Sequence, residues 1–176
     1  MRLMTPIPDP PPHRITPVTA ADADALAEVA RLFAEYSEWL SGFVVHTTIA
    51  EELDELPGAF APPSGALLMA TDADGAICGC VGVKRHGDAA AEIKRLFVRE
   101  ACRGTGLGHA LFASALDAAC DLGYTEALVS TIPSKMPTAN AMYDRIGFES
   151  TRRFEDHTHA EIEIRYLRLD LGDWCA

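Results

Sequence analysis

Apolar residues recur every three or four positions in four stretches of the chain, a spacing that places them on one face of a helix. In the first stretch, Leu26, Val29, Phe33 and Leu40 form such a face. Helices are therefore predicted at residues 20–40, 47–58, 107–123 and 138–147.

Seven other stretches alternate apolar and polar residues, or are apolar throughout, as strands do. Strands are predicted at residues 13–19, 65–71, 76–85, 89–98, 125–132, 148–155 and 160–171. In the fourth of them, strict alternation would place Ile93, Arg95 and Phe97 on one face and the other four residues of 92–98 on the opposite face.

The order of these elements predicts a mixed α/β domain around one central sheet. The sequence contains neither an internal repeat nor a domain linker, so residues 13–176 are interpreted as a single domain. The prolines of residues 1–12 predict a flexible, extended arm before it.

Composition and charge exclude several classes of protein. No apolar run approaches the ~20 residues of a membrane-spanning helix, and the N-terminus lacks the apolar region of a signal peptide, so a cytoplasmic protein without membrane contact is predicted. The net charge of -11 argues against a nucleic-acid partner, which requires a basic face.

The charge is unevenly distributed. Residues 20–56 contain nine acids and one base, whereas residues 84–103 contain six bases and three acids. Two such regions would suit a site that holds a cationic and an anionic molecule side by side, although solvated faces would have the same composition.

The five cysteines are odd in number and form no C-x-x-C pair, so neither a disulfide framework nor a zinc site is predicted. Cys120 is interpreted as a core residue of the third helix. His157 and His159 have no third ligand nearby in sequence, and no metal is expected.

Three glycines stand at alternate positions directly before the third helix: Gly104, Gly106 and Gly108. The first N–H groups of a helix lack internal partners and attract anions, and glycine lets a phosphate approach the backbone. A Walker loop would need a Lys followed by Ser or Thr, and a dinucleotide fingerprint would need glycine where His109 stands. Both nucleotide-binding patterns therefore fail.

The pattern that fits is R-x-x-G-x-G, formed by Arg103, Gly106 and Gly108. It resembles the pyrophosphate-binding turn [QR]-x-x-G-x-[GA] of the GNAT family of N-acetyltransferases. Downstream, the segment ANAMYDRIGF resembles that family's A-x-x-[LM]-Y-x-x-x-G-F signature, with Tyr143 and Gly147 at matching positions. The two motifs stand in the family's order of elements.

The resemblance implies the acyl-CoA N-acyltransferase fold, a mostly antiparallel sheet with about four flanking helices that splays open between its fourth and fifth strands. Acetyl-CoA would lie in that opening. The main chain of Leu96, Phe97 and Val98 is expected to pair with pantetheine, and Asn140 to contact the pantetheine or sulfur end. The backbone amides expected to cradle the pyrophosphate are those of Arg103, Gly104, Thr105, Gly106, Leu107 and Gly108. Lys84, Arg85 and Arg99 are candidates for contact with the 3′-phosphate.

The implied chemistry is acyl transfer from a thioester to an amine, which needs a base for the ammonium proton and an acid for the departing thiolate. Tyr143 matches the family's acid; the alternative is an aromatic that only packs. Glu92, at the start of the fourth strand, is the candidate base, but burial would have to raise its pKa, and a chain of waters is the alternative.

We therefore predict an acetyl-CoA-dependent N-acetyltransferase that acts on a cationic primary amine of a small molecule or peptide. The alternative is a non-catalytic module of the same fold that senses acyl-CoA. The sequence does not identify the amine. An exposed edge at residues 160–171 would allow a homodimer.

Overall fold

The computed structural model describes residues 13–41, 47–155 and 162–176. Within these ranges the elements are β1 (Arg14–Pro17), α1 (Ala23–Leu40), α2 (Thr47–Glu55), β2 (Ala66–Thr71), β3 (Ile77–His86), β4 (Ala90–Val98), α3 (Leu107–Asp121), β5 (Glu126–Thr131), α4 (Pro137–Ile146), β6 (Glu149–Ser150) and β7 (Arg165–Asp170). Their order is the predicted one. The predicted arm at residues 1–12, as well as His157 and His159, lies outside the described residues.

The strands form one seven-stranded sheet in the order β1-β2-β3-β4-β5-β7-β6. Neighbouring strands are antiparallel except β4 and β5, which run parallel and pair only where Ala90–Glu92 face Glu126–Leu128. Beyond this short ladder β4 turns away, while β5 stays paired with β7 as far as Thr131. The predicted opening between the fourth and fifth strands is therefore confirmed, and the predicted fold class with it.

A bulge in β4 begins where this pairing ends. Cys80 of β3 faces Phe97 and Gly82 faces Lys94, so β4 has one residue more than β3 over this interval. Arg95 takes up the difference with φ = 59°, a left-handed conformation that is costly for a residue with a side chain.

The strict alternation predicted for this strand is wrong because of the bulge. Ile93 packs in the same apolar cluster as Leu96 and Val98, whereas Phe97 packs on the opposite face of the sheet. The extra residue exchanges the two faces between Ile93 and Leu96, as any one-residue register change does in a strand.

Each face of the sheet carries its own apolar core. On one face, α3 and α4 bury a cluster that includes Phe112, Leu116 and Met142. On the other face, α1 and α2 contribute Phe33 and Ile49 to a second cluster. A fully buried side chain of this size stabilises the fold by about 1.5–3 kcal/mol, so both helical layers are firmly attached to the sheet that separates them.

Two sequence predictions about the C-terminal part are wrong. The strand predicted at residues 148–155 is limited to Glu149–Ser150, and the chain leaves the sheet after Thr151, whose N–H donates to Tyr166 O at 2.8 Å. Cys120 is half-buried at the end of α3 and packs against the apolar cluster on that face of the sheet, but it also forms a disulfide with Cys175 that the sequence did not predict. A separation of 55 residues gave no local signal of this pair.

The edge proposed for a dimer is partly covered, since β6 pairs with β7 at Leu167 and Arg168. The homodimer stays a prediction. No helix within the described part of the chain is long and apolar enough to cross a membrane.

Candidate functional site

The opening between β4 and β5 continues into a cavity of about 1240 Å³. We call the part lined by Arg103, Gly104 and the residues 106–109 the turn end. The opposite part is the carboxylate end, lined by Lys84, His86, Glu92, Lys94, Ser130 and Glu155. Between the two ends, Ile93–Val98 of β4 line the cavity along the strand edge that β5 leaves unpaired. An unpaired edge offers main-chain donors and acceptors to an extended ligand, as predicted for Leu96, Phe97 and Val98.

The turn end depends on backbone conformations that glycine adopts readily. Gly104 has φ = 76°, and Gly106, which caps α3, has φ = 83°. A Cβ built on either would meet nothing within 4 Å, so the requirement is conformational and space is left beside the backbone. Gly108 lies in the first turn of α3, where a Cβ would stand 3.8 Å from Val98 Cγ2.

Side chains at this turn serve mainly to hold it. The Arg103 N–H donates to Glu100 O at 3.1 Å, so the backbone amides left for an anion begin at Gly104. Arg103 Nε donates to Val98 O at 2.8 Å, which ties the turn to the end of β4. Thr105 Oγ1 donates to Cys102 O at 2.8 Å, and Thr105 is not among the described residues that line the cavity.

Glu92 stands at the opposite end, on the last residue of β4 that pairs with β5. Its side chain is 1% exposed, and neither carboxylate oxygen accepts a hydrogen bond from the described residues. Lys94 Nζ lies 3.1 Å from Oε1 and Lys84 Nζ lies 3.6 Å from Oε2. Burial, reinforced by the neighbouring Glu155 and opposed by Lys94, raises the pKa of the Glu92 carboxyl to about 7.

Glu155 is the second carboxyl of this end, and sequence reasoning did not identify it. Ser130 Oγ donates to its Oε2 at 3.0 Å, and Lys94 Nζ forms an ion pair with its Oε1. Burial alone would raise the pKa of Glu155, but the interaction with Glu92, together with Lys94 and Ser130, lowers it to about 2. The two carboxyls therefore meet across one lysine with their pKa values displaced in opposite directions.

Tyr143 lines the cavity from α4. Its ring packs 5.0 Å from that of Phe112 and 5.7 Å from that of Phe148, centroid to centroid. Burial raises the pKa of its hydroxyl, which therefore stays protonated near neutral pH. The residue thus packs as an aromatic and also lines the cavity, and its role as an acid stays a prediction.

Asn140 is engaged within the protein. Its Nδ2 donates to Thr131 Oγ1 and to Met136 O, both at 2.9 Å, and its Oδ1 accepts from Arg165 at 3.0 Å. It is not among the described residues that line the cavity. The amide therefore joins α4 to β5 and β7, and its contact with a ligand stays a prediction.

The three bases proposed for a 3′-phosphate do not gather at the turn end. Lys84 belongs to the carboxylate end, Arg85 pairs with the neighbouring Asp88, and Arg99 Nη2 lies 2.6 Å from Glu35 Oε1. Lys135 and Arg145, which the sequence analysis did not single out, also line the cavity.

The acidic first two helices are partly neutralised. Arg95 Nε, at the β4 bulge, donates to Glu52 Oε2 of α2 at 2.7 Å. Glu51 and Glu55 are exposed and line the same side of the cavity. Among the described residues there is no group of three or more His, Cys, Asp or Glu that could hold a metal ion.

Comparisons with known proteins agree with this geometry. Residues 63–150 match the family model described as an acetyltransferase (GNAT) domain. An uncharacterized N-acetyltransferase of Schizosaccharomyces pombe is 32% identical over 140 residues, which cover 77% of this chain and 83% of that protein.

Solved structures share the fold at low identity. A Streptococcus agalactiae acetyltransferase has a TM-score of 0.72 at 18% identity and covers 90% of this chain and 98% of its own. The spermidine N-acetyltransferase of Vibrio cholerae, solved with CoA and spermine, has a TM-score of 0.67 at 14% identity and covers 93% of this chain and 98% of its own.

Proposed function

The chain belongs to the GNAT family of acetyltransferases, and from that premise we propose that it transfers the acetyl group of acetyl-CoA to a primary amine. The observation that carries the proposal is the single cavity that joins a glycine turn at a helix N-terminus to a buried carboxyl with a raised pKa. The first feature suits a pyrophosphate, and the second suits a base that works near neutral pH.

Acetyl-CoA would supply an acetyl group activated as a thioester. The backbone amides of Gly104–Gly108 would hold its pyrophosphate, because they lie at the start of α3 beside open space. The edge of β4 at Leu96, Phe97 and Val98 would pair with the pantetheine arm, since β5 has left that edge. Lys135 and Arg145 would be the cations that contact the remaining phosphate, since both line the cavity.

The chain's own residues would move two protons. Glu92, ionised above pH ~7, would take a proton from the acceptor ammonium, whose ordinary pKa is ~10. Main-chain N–H groups near Leu96 and Phe97, turned by the bulge, would stabilise the developing oxyanion. As the N–C bond forms and the C–S bond breaks, Tyr143 would give its proton to the sulfur. The second proton that the nitrogen loses on becoming an amide would pass through water and restore the Tyr143 hydroxyl.

The acceptor would be a cationic primary amine of a small molecule or peptide. Glu51 and Glu55 on α2 support this, because they add negative charge to the cavity without a basic partner on their own helix. The Vibrio cholerae relative in fold is a spermidine N-acetyltransferase solved with spermine, so polyamines belong in the first panel of acceptors.

The test is amine-dependent release of free CoA thiol, measured over polyamines, amino sugars, amino acids and peptides. Tyr143→Phe keeps the ring but loses the hydroxyl, and we expect kcat to fall ~10-fold or more while acetyl-CoA still binds.

Tyr124→Phe is the matched control. Tyr124 is also buried and donates its hydroxyl to Ser64 O at 2.6 Å, but it is not among the described residues that line the cavity. It should lose stability and keep kcat. Tight binding of acetyl-CoA with no amine-dependent thiol release would instead identify an acyl-CoA sensor.

A further inference from the structure

We propose that Glu155 and Glu92 act as one proton-sharing carboxyl pair, bridged by Lys94, and that this pair takes up the proton of the acceptor amine. The inference rests on the proposed function for its chemical role. Glu92 would touch the substrate, and Glu155 and Lys94 would be positioning residues that set the pH at which Glu92 becomes a base.

The geometry brings both carboxyls to a single cation. Lys94 Nζ is 3.1 Å from Glu92 Oε1 and also forms an ion pair with Glu155 Oε1. The three side chains are 1%, 14% and 12% exposed for Glu92, Glu155 and Lys94, so water screens their interactions only weakly. Lys94 is shared by the two carboxylates, and the second cation, Lys84, is 27% exposed and lies 3.6 Å from Glu92 Oε2, so the two negative charges are only partly compensated and a shared proton stabilises the pair.

The surroundings determine which carboxyl keeps that proton. Glu155 accepts a hydrogen bond from Ser130 Oγ, which stabilises its charged form, whereas the Glu92 oxygens accept none from the described residues. The proton therefore resides on Glu92, in agreement with the opposite directions of the two pKa shifts.

The groups around the pair come from four segments. Lys94 belongs to β4, Ser130 to β5, and Glu155 to the segment that follows β6. From β3, Lys84 Nζ lies 3.6 Å and His86 Nδ1 4.0 Å from Glu92 Oε2. The two lysines favour the ionised form of Glu92 and lower its pKa, whereas Glu155 opposes ionisation and raises it. Removing a lysine and removing Glu155 should therefore shift the pKa of Glu92 in opposite directions.

The route of the chain is consistent with this role. A strand continuing regularly after Ser150 would have kept pairing with β7, but the segment leaves the sheet and carries Glu155 under the opening between β4 and β5. The amphiphilic pattern FESTRRFE does not form the strand it predicts, and its last residue lies in the cavity instead.

In the reaction, one proton leaves the acceptor nitrogen and enters the doubly ionised pair, where Glu92 holds it and Glu155 accepts a hydrogen bond from it. The nitrogen lone pair is then free to form the new bond to carbon. After the acetylated product leaves, the pair returns the proton to water, so the enzyme ends each cycle unchanged.

The decisive measurement is the pH dependence of kcat/KM for paired variants. In the wild type we expect kcat/KM to rise with pH around pH 7, and this rise is the ascending limb of the pH profile. In Glu155→Gln the limb should move to lower pH by about one unit, because a negative neighbour is lost. In Lys94→Met it should move to higher pH by a similar amount, because the opposing cation is lost. Glu149→Gln, on an exposed residue of β6, is the control and should leave the limb in place.

Displacements in opposite directions cannot arise from a general loss of structure. If both variants moved the limb in the same direction, or neither moved it, the pair would be disproved. Glu155→Asp, which keeps a carboxyl, should retain a limb close to that of the wild type; a limb like that of Glu155→Gln would also count against the pair.

A second readout does not depend on turnover. Protein labelled with ¹³C at the glutamate side-chain carboxyl is titrated by NMR without ligands, and the Glu92 and Glu155 signals are assigned from the single variants. Glu92 should titrate near pH 7 in the wild type and at lower pH in Glu155→Gln. If this holds while no amine is acetylated, the proposed function fails and the pair stands. If Glu92 titrates identically in both proteins, the pair fails whatever the enzyme does.

Discussion

At the turn end of the cavity the polar groups are main-chain amides from one segment, Gly104–Gly108, whereas at the carboxylate end they are side chains from four segments. The turn end contributes the single full charge of Arg103 and leaves room beside the backbone of Gly104 and Gly106. The carboxylate end concentrates Lys94, Glu92 and Glu155, each at most 14% exposed, together with Lys84, which is 27% exposed.

The difference has a physical consequence for each end. A backbone site is fixed by local conformation, so it tolerates many side chains but few changes in φ. In a buried charge cluster the charged groups neutralise one another, so replacing one side chain changes the pKa values of the others. We therefore expect mutations at the turn end to alter cofactor affinity, and mutations at the carboxylate end to alter the rate and its pH dependence.

The largest effect is expected from Glu92→Gln. The amide has nearly the shape of the carboxyl but cannot accept the ammonium proton, so kcat at pH 7 should fall ~100-fold or more. The dissociation constant of acetyl-CoA, measured by calorimetry, should change less than twofold. If the variant retained most of its kcat, a chain of waters and not Glu92 would remove the proton of the amine. The expected difference between mutations at the two ends would then not exist.

A smaller effect, confined to binding, is expected from Gly106→Ala. At φ = 83° the new residue is strained by about 1–2 kcal/mol, and its methyl group would occupy space that is proposed for the pyrophosphate. The dissociation constant of acetyl-CoA should rise ~10-fold, with kcat at saturation nearly unchanged.

Gly75→Ala is a close control for that experiment. Gly75 has φ = 84°, its Cβ would also meet nothing within 4 Å, and it lies in the turn between β2 and β3. It should lose as much stability as Gly106→Ala without any change in affinity. Equal affinities for the two variants would mean that the turn end does not hold the cofactor.

The smallest effect concerns stability and its dependence on pH. The folded state raises the pKa of Glu92 above its unfolded value of ~4.3, so it favours the protonated carboxyl. The contribution of Glu92 to the free energy of unfolding is therefore largest below pH ~4.3, and it is lost as the pH rises through about 7.

The Tm of Glu92→Gln minus the Tm of the wild type should therefore increase by a few degrees from pH 5 to pH 8. Thermal unfolding followed by circular dichroism at both values measures the change. A difference in Tm that stayed constant between pH 5 and pH 8 would contradict a Glu92 carboxyl whose pKa is raised to about 7 in the folded state.

The two ends also differ in how well the sequence predicted them. Gly104, Gly106 and Arg103 are neighbours in the chain, so their spacing indicated an anion-binding turn before any fold was known. Glu92 and Tyr143 were named because each belongs to a segment with a family pattern. Both line the cavity, and their catalytic roles stay predictions.

Glu155 had no such signal, because its partners Lys94 and Ser130 are 61 and 25 residues away and depend on a segment that leaves the sheet. Asn140 shows the opposite problem. Its position in the motif was clear, but three hydrogen bonds to Thr131, Met136 and Arg165 already satisfy its amide. The local sequence pattern predicts which helix or strand carries a residue. Tertiary contacts then determine which hydrogen-bonding groups of its side chain can still contact a ligand.

The bulge at Arg95 connects the length of β4 with the opening between β4 and β5. One residue more in β4 than in β3 accompanies the separation of β4 from β5, and Glu52 of α2 holds the extra residue in place. Deleting a single residue there would restore regular pairing with β3, and we expect β4 then to extend its ladder along β5 and close the opening. The capacity of this domain to admit a ligand would thus be gained or lost in evolution by a one-codon insertion or deletion, with every chemical group of the site still encoded.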